Sequence, residues 1–413
     1  MIPHRLLNVA LRGLTLGSKF LLIFFLARFL EPAELGLYGL LSVTVGYALY
    51  LLGLDFYTFT TREILKRERC EWGALLKSQA ALTLLLYALS VPLLLLLFVT
   101  QTLPWHLAFW FFALLVLEHM NQELMRLLIA ISDQLMASVV LFLRSGAWGV
   151  VVVALMFVWP ELQTLQAILC AWTLGGLLAV LLAFWRLARL EISGWQSEVD
   201  WRWIGRGIRI AAPLLIATLA LRGLYTLDRY WLEALAGLEV LGAYVLFMGI
   251  ANAMVSFLDA GVFAFSYPKL ITLFQRADPQ GFRREMKRLA VQTVGVSGCF
   301  AVASLLLIGP LLLWLDKPLY VEQQAMFPWI LLGTLLFALG MIPHYGLYAQ
   351  GQDRPIVQNH LAGLVVFVLS TWLFSLSWPQ IAIPFGLCLA FLTMALGKSY
   401  AFFRLTPAQY YSH

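Results

Sequence analysis

Charge is what this sequence has least of. Only 12% of its 413 residues are Asp, Glu, Lys or Arg, while 62% are hydrophobic, and the mean hydropathy is +0.84. A water-soluble chain of this length needs far more polar residues to cover its surface, so the composition excludes a soluble globular protein. Cysteine is scarce too. Cys70, Cys170, Cys299 and Cys388 show neither a disulfide framework nor a metal-ligand spacing. No His-Glu-x-x-His pair exists, since "EHMNQE" (118–123) holds a single histidine, and no Gly-x-Ser-x-Gly elbow occurs. "ALGKSY" (395–400) contains Gly-Lys-Ser but lacks the glycine five positions before Gly397, and it lies in an apolar run, so it is no phosphate-binding loop. With no catalytic motif and no metal site, the chain reads as a non-enzyme.

What the chain has in abundance is apolar length. Runs of about 20 residues, each enough to cross about 30 Å of hydrocarbon, recur from end to end. Twelve are legible: 10–30, 35–57, 78–100, 105–127, 137–158, 165–185, 208–232, 240–264, 289–314, 325–348, 356–376 and 381–402. The sequence therefore predicts an all-α polytopic membrane protein. The first run is too long for a signal-peptide core and no small-residue cleavage site follows it, so it is expected to remain a span. About 22 of the 28 Lys and Arg lie at the termini or after even-numbered spans, chiefly in "REILKRERCEWGALLK", "RLARLEISGWQSEVDWRWIGRGIR" and "KLITLFQRADPQGFRREMKR". The opposite loops carry Glu31, Glu34, Glu161, Glu239, Asp316 and Glu322, with Lys317 their one clear base. The positive-inside rule then puts both termini in the cytoplasm. The net charge of +6 belongs beside the spans, where anionic headgroups are the natural partner; membrane lipids, not nucleic acid, are expected.

The chain also reads as two similar halves, offset by about 206 residues. "AELGLYGLL" (33–41) aligns with "EVLGAYVLF" (239–247), sharing Leu-Gly-x-Tyr, and "TTREIL" (60–65) with "SYPKLI" (266–271). This predicts two pseudo-symmetric six-helix lobes, 1–195 and 196–413, a common plan of secondary transporters. Near the joint, Trp195, Trp201 and Trp203 are expected at the membrane interface. Asp278 before Pro279 reads as an N-cap followed by an N1 proline, which would start the ninth span as a cytoplasmic amphipathic helix.

The few charges inside spans are patterned. Arg5, Asn8, Arg12, Thr15 and Lys19 step by 3, 4, 3 and 4, which puts them on one helical face. Thr218, Arg222, Tyr225 and Arg229 do the same in the seventh span. Arg5, Arg12 and Arg28 are close enough to helix ends to snorkel to headgroups. Lys19 and Arg222 lie deeper and are expected in a hydrated cavity. Arg144 has two readings, a cavity cation or the partner of a carboxylate in the fourth span. That span carries "LEHMNQELMR", with Glu118, Gln122 and Arg126 four apart and His119 and Glu123 beside them. The run reads either as an internal salt-bridge cluster or as a proton or cation relay. Asn252, Ser256 and Asp259 share a face in the eighth span, and Asp55 ends the second.

Several of these segments carry a family likeness. "RGLTLGSKFLLIFFLARFLEPAELGLYGLL", "GLDFYTFTTREIL" and "LYTLDRYWLEALAGLEVLGAY" resemble the polysaccharide-transport (Wzx-type O-antigen flippase) family of the multidrug/oligosaccharidyl-lipid/polysaccharide exporter superfamily. The likeness covers essentially the whole chain and rests on helix–Gly-x-Tyr in each half and Leu-Asp-Arg in the seventh span. It implies a bacterial inner (plasma) membrane protein that turns an undecaprenyl-pyrophosphate-linked oligosaccharide to the periplasmic leaflet by alternating access. Glycan polymerase or ligase machinery would be its partner, and no cofactor is implied beyond a coupling H+ or Na+. Arg and Lys suit phosphate, so the resemblance puts Arg12, Thr15, Lys19, Arg144, Arg222, Tyr225 and Arg229 on the substrate. Asp55, Glu118, His119, Glu123 and Asp259 are the ion-coupling candidates. Two alternatives stand. A cation-coupled drug antiporter of the same superfamily fits the cationic faces poorly, and an envelope-assembly enzyme lacks a large outward loop.

Overall fold

The computed structural model describes residues 2–190 and 192–411, apart from the side chains of residues 2–5 and of Leu214. The Arg5 side chain therefore lies outside the described residues. Helices account for every regular element among the described residues, and no strand occurs there. Twelve of them are long. We number them α1 (Ile2–Phe29), α2 (Pro32–Gly53), α3 (Arg69–Val99), α4 (Ala108–Ala130), α5 (Gln134–Val158), α6 (Leu165–Ala188), α7 (201–236), α8 (238–275), α9 (Pro279–Leu315), α10 (Phe327–Ala349), α11 (Asp353–Ser375) and α12 (Pro379–Leu405).

Ten described segments are long and apolar enough to cross a membrane. Two local features reconcile ten with twelve. The 61-residue segment Leu215–Gln275 is continuous in hydrogen bonding, but Gly237 at φ 85° and ψ 173° divides it into α7 and α8. That conformation is essentially closed to residues with a Cβ. Helix α4 falls short in hydropathy because of its own polar run, Glu118 to Arg126, although its 23 residues suffice to span.

Contacts group the chain into two units: Met1–Leu30 with Leu41–Leu219, and Glu31–Leu40 with Ala220–His413. In the first unit, a short helix Tyr57–Ile64 and the start of α7 build an aromatic cluster. Trp203 packs on Phe56 and Phe59 with ring centroids 5.3 and 5.1 Å apart, and is only 1% exposed. This corrects the interfacial expectation for Trp203. The amphipathic start of α7 turns that ring inward, while Trp195 and Trp201 remain exposed.

In the second unit the repeated Leu-Gly-x-Tyr motif has a packing role. A Cβ on Gly36 would run into the Leu238 carbonyl, and one on Gly242 into Pro32. The two motif glycines let the start of α2 and the start of α8 approach backbone to backbone. Farther along, a Cβ built on Gly340 of α10 would lie 3.2 Å from the Ala395 Cβ on α12. Asp278 accepts from the Gly281 amide at 2.9 Å with Pro279 at the first position, so α9 starts as its sequence predicts.

Two helices depart from regular winding. Leu143–Ala147 within α5 and Asp259–Phe263 within α8 each form one π-helical turn. Such widened turns concentrate at functional positions, and each here holds an ionisable residue named above.

Candidate functional site

In the first unit, α1 packs against the π-turn of α5, where the Thr15 Cα lies 3.2 Å from a Cβ built on Gly146. This contact sets the register of the α1 stripe. Thr15 is buried and donates to the Leu11 carbonyl at 2.8 Å. Arg12 and Lys19 on the same stripe are exposed. Arg12 donates from Nε to Ser138 at 3.2 Å, and Ser138 in turn bonds Asn8.

Arg144 and Glu118 meet in the interior. Arg144 Nε lies 2.6 Å from Glu118 Oε2, and its Nη2 makes a second contact with the same oxygen. The Trp172 indole donates to the other carboxylate oxygen at 2.8 Å, and Trp148 stacks on Trp172 while donating to the Arg144 carbonyl. Both Glu118 oxygens are thus satisfied, as a buried carboxylate requires. Lys19 lies within electrostatic range of this pair. Since the pair is neutral, Arg12 and Lys19 give the surrounding face a positive charge.

The polar run of α4 divides across that helix. Glu118 faces α5 and α6. His119, Glu123 and Arg126, displaced around the helix by its 100° per residue, face α3 and the 57–64 helix. Gln122 between them is half-buried. Glu123 accepts from Arg126 Nη1 and Gln79 Nε2, both at 2.6 Å, and the Arg126 guanidinium lies 3.5 Å over the Tyr57 ring. His119 meets the Tyr87 hydroxyl at 3.1 Å. These groups border a cavity of about 880 Å³, otherwise walled by apolar side chains such as Leu76, Met120, Leu124 and Phe184. Asp55 is buried in the turn after α2, with φ 51°, and acts electrostatically on Glu123.

The α7 stripe of the second unit runs from open to closed. Arg222 is exposed, and Tyr225 is half-buried beside Phe337 and Phe391. Arg229 is buried, with its guanidinium on the Tyr225 carbonyl and 3.3 Å from Asp228. Asp228 is the residue that the sequence reading quoted inside Leu-Asp-Arg without giving it a role. It is fully buried and accepts from the Tyr244 hydroxyl at 2.6 Å, Tyr244 being the tyrosine of the repeated motif. Asp259, in the π-turn of α8, is exposed and within electrostatic range of Arg222. Spacing along α7 could not reveal that Tyr244 and Asp259 of α8 join this grouping.

No protein-family model matches the sequence, and no curated relative matches it. Solved structures do. An inward-facing multidrug resistance MATE family transporter of the MOP superfamily aligns with a TM-score of 0.76 at 11% identity, over 96% of each chain. An outward-facing MATE family transporter aligns at 0.60 and 14%, over 97% of this chain and 95% of that one. A MOP superfamily transporter from Pyrococcus furiosus, described as having a binding pocket of reversed polarity, aligns at 0.62 and 13%, over 98% and 95%. The chain therefore has the two-lobed helical fold of these transporters along essentially its whole length.

Proposed function

We propose that the protein is a membrane exporter of an anionic, phosphate-bearing amphiphile, working by alternating access, and that its cargo is an undecaprenyl-pyrophosphate-linked oligosaccharide turned from the cytoplasmic to the periplasmic leaflet. The observation that carries this reading is the polarity of the first helix of each half. Arg12 and Lys19 on α1 and Arg222 on α7 are exposed cations. Three interior carboxylates are held by neighbours, Glu118 by Arg144 and Trp172, Glu123 by Arg126 and Gln79, Asp228 by Tyr244 and Arg229, while Asp259 is exposed within electrostatic range of Arg222. A pyrophosphate on a membrane-tethered lipid is the chemistry that such cations suit. The fold neighbours are transporters, which supports transport in place of catalysis, and one of them is described as having a binding pocket of reverse polarity.

A second reading has its own support. The neighbours include multidrug resistance transporters, and the cavity of about 880 Å³ in the first unit is mainly apolar with Glu123 at its edge. A cation-coupled drug antiporter would use such a cavity. Against it, Glu123 is already covered by the Arg126 guanidinium.

The test is a null strain that lacks surface glycan, complemented with variants. Lys19→Ala and Arg222→Ala, alone and together, are expected to abolish surface glycan while protein level and lipid-linked precursor stay normal. Normal glycan from the double variant, or raised drug susceptibility as the only phenotype of the null, would turn the assignment to the second reading.

A further inference from the structure

The cavity of about 880 Å³ in the first unit lies among α3, α4 and α6, and reaches the 57–64 helix and Trp195. On α3 its wall runs from Leu76 to Tyr87. At about 1.5 Å per residue that stretch is about 16 Å long, close to half of a hydrocarbon core of about 30 Å. The groove is therefore about one leaflet deep. Leu84, Val116 and Phe184 on its edge are exposed apolar side chains of membrane-length helices. The solvent they meet is acyl chain, not water. The polar side chains on the wall are turned to one another. Gln79 and Arg126 hold Glu123, the Arg126 guanidinium covers Tyr57, Tyr87 meets His119, and Thr60 donates to the Phe56 carbonyl at 3.4 Å. With these groups engaged, the wall offers an occupant mainly hydrocarbon.

We propose that this groove is a lipid site that takes an acyl chain of an anionic phospholipid, with the lipid phosphate at the arginines beside its 57–64 end. Arg62 follows Thr61 of the wall, and Arg189 follows Ala188. Arg69 precedes Cys70, whose carbonyl lies against Gly194, the neighbour of Trp195. All three arginines are exposed, and none makes an ion pair among the described residues, while Glu63 and Glu71 are matched by Lys66 and Arg67. Arginines clustered at the end of membrane helices draw anionic headgroups. The depth of the groove selects a phospholipid over the cargo proposed above, because a polyprenyl chain is much longer than one leaflet. Position agrees: the groove lies on the α3 side of α4, whereas Glu118 and Arg144, near Lys19 of the α1 stripe, lie on the other. A drug cation would find Glu123 already covered by Arg126.

The experiment counts phospholipids retained by the purified full-length protein in mixed micelles of phosphatidylglycerol and phosphatidylcholine, by native mass spectrometry. Ala80→Trp on α3 and Val116→Trp on α4 each put a large ring into the groove from an exposed position. The unaltered chain is expected to keep about one phospholipid more than either variant, and to prefer phosphatidylglycerol. Replacing Arg62, Arg69 or Arg189 by Ala should lower that preference about fivefold each. The two Trp variants approach from different helices, so one gives the answer if the other does not fold. Equal lipid counts in the unaltered chain and a folded Trp variant would overturn the proposal, as would equal retention of the two phospholipids. Displacement of the retained lipid by equimolar tetraphenylphosphonium would overturn it in favour of the drug reading, and displacement by undecaprenyl phosphate in favour of a cargo-tail site. The lipid count involves no glycan export, so failure here leaves the cargo assignment standing, and failure of the export assay leaves the lipid count standing.

Discussion

Both units interrupt a membrane helix with a π-turn, and both turns carry an ionisable residue, yet the two are treated in opposite ways. In the first unit Arg144 is turned inward and clamped by Glu118, with Trp172 completing the carboxylate's hydrogen bonds. In the second, Asp259 is left exposed near the exposed Arg222, while Asp228, six residues beyond Arg222 on α7, is buried and held by Tyr244 and Arg229. The first unit pairs its interior charges and keeps the exposed cations Arg12 and Lys19 on one face. The second combines a pair of the same kind with an exposed carboxylate beside an exposed cation. The difference teaches that charge inside a membrane helix has two uses in one chain: locking helices together, and remaining available to something that moves.

The contrast can be broken in order of expected effect. The largest is loss of glycan export in the Lys19→Ala, Arg222→Ala double variant, measured as surface glycan against intact precursor. Next is Glu118→Ala, which leaves the Arg144 guanidinium buried and unpaired. It should lower unfolding free energy in micelles by about 3–5 kcal/mol, with much of that regained when Arg144→Met is added. If Arg144→Met restores nothing, the pair is not what locks α4 to α5. Asp228→Asn keeps size but weakens the bond from Tyr244 and removes the charge facing Arg229. A loss of about 1–3 kcal/mol is expected in the same assay, and Tyr244→Phe should cost less in the Asn background than in the wild type. The smallest effect is Lys66→Ala. Lys66 is largely exposed in its pair with Glu63, and a change beyond about 1 kcal/mol would mean the turn after the 57–64 helix is far more ordered than that accessibility implies.

How much of this was legible in the sequence divides along the same lines. The twelve helices were, because membrane thickness fixes their length and composition fixes their solvent. The joint between α7 and α8 was legible as two runs, even where backbone hydrogen bonding continues through Gly237. The start of α9 was legible too, since an N-cap is a local device. The stripes on α1 and α7 were visible as faces, but not the fate of each member. Arg12, Lys19 and Arg222 are open, whereas Arg229 is closed against Asp228. Arg229 and Asp228 are neighbours on α7, but their burial depends on the helix opposite, which supplies Tyr244, and spacing along one helix carries no such information. Trp203 was misjudged for the same reason: its neighbours Phe56 and Phe59 are remote in sequence.

The central claim is that the exposed cations of α1 and α7 receive a phosphate-bearing lipid. Binding of undecaprenyl pyrophosphate and of undecaprenol to the purified protein, measured side by side, tests it most directly. The account predicts binding of the diphosphate, weakening with added salt, little binding of the alcohol, and loss of the diphosphate preference in the Lys19→Ala, Arg222→Ala variant. Equal binding of the two lipids, or a preference for a lipophilic cation over both, would contradict it.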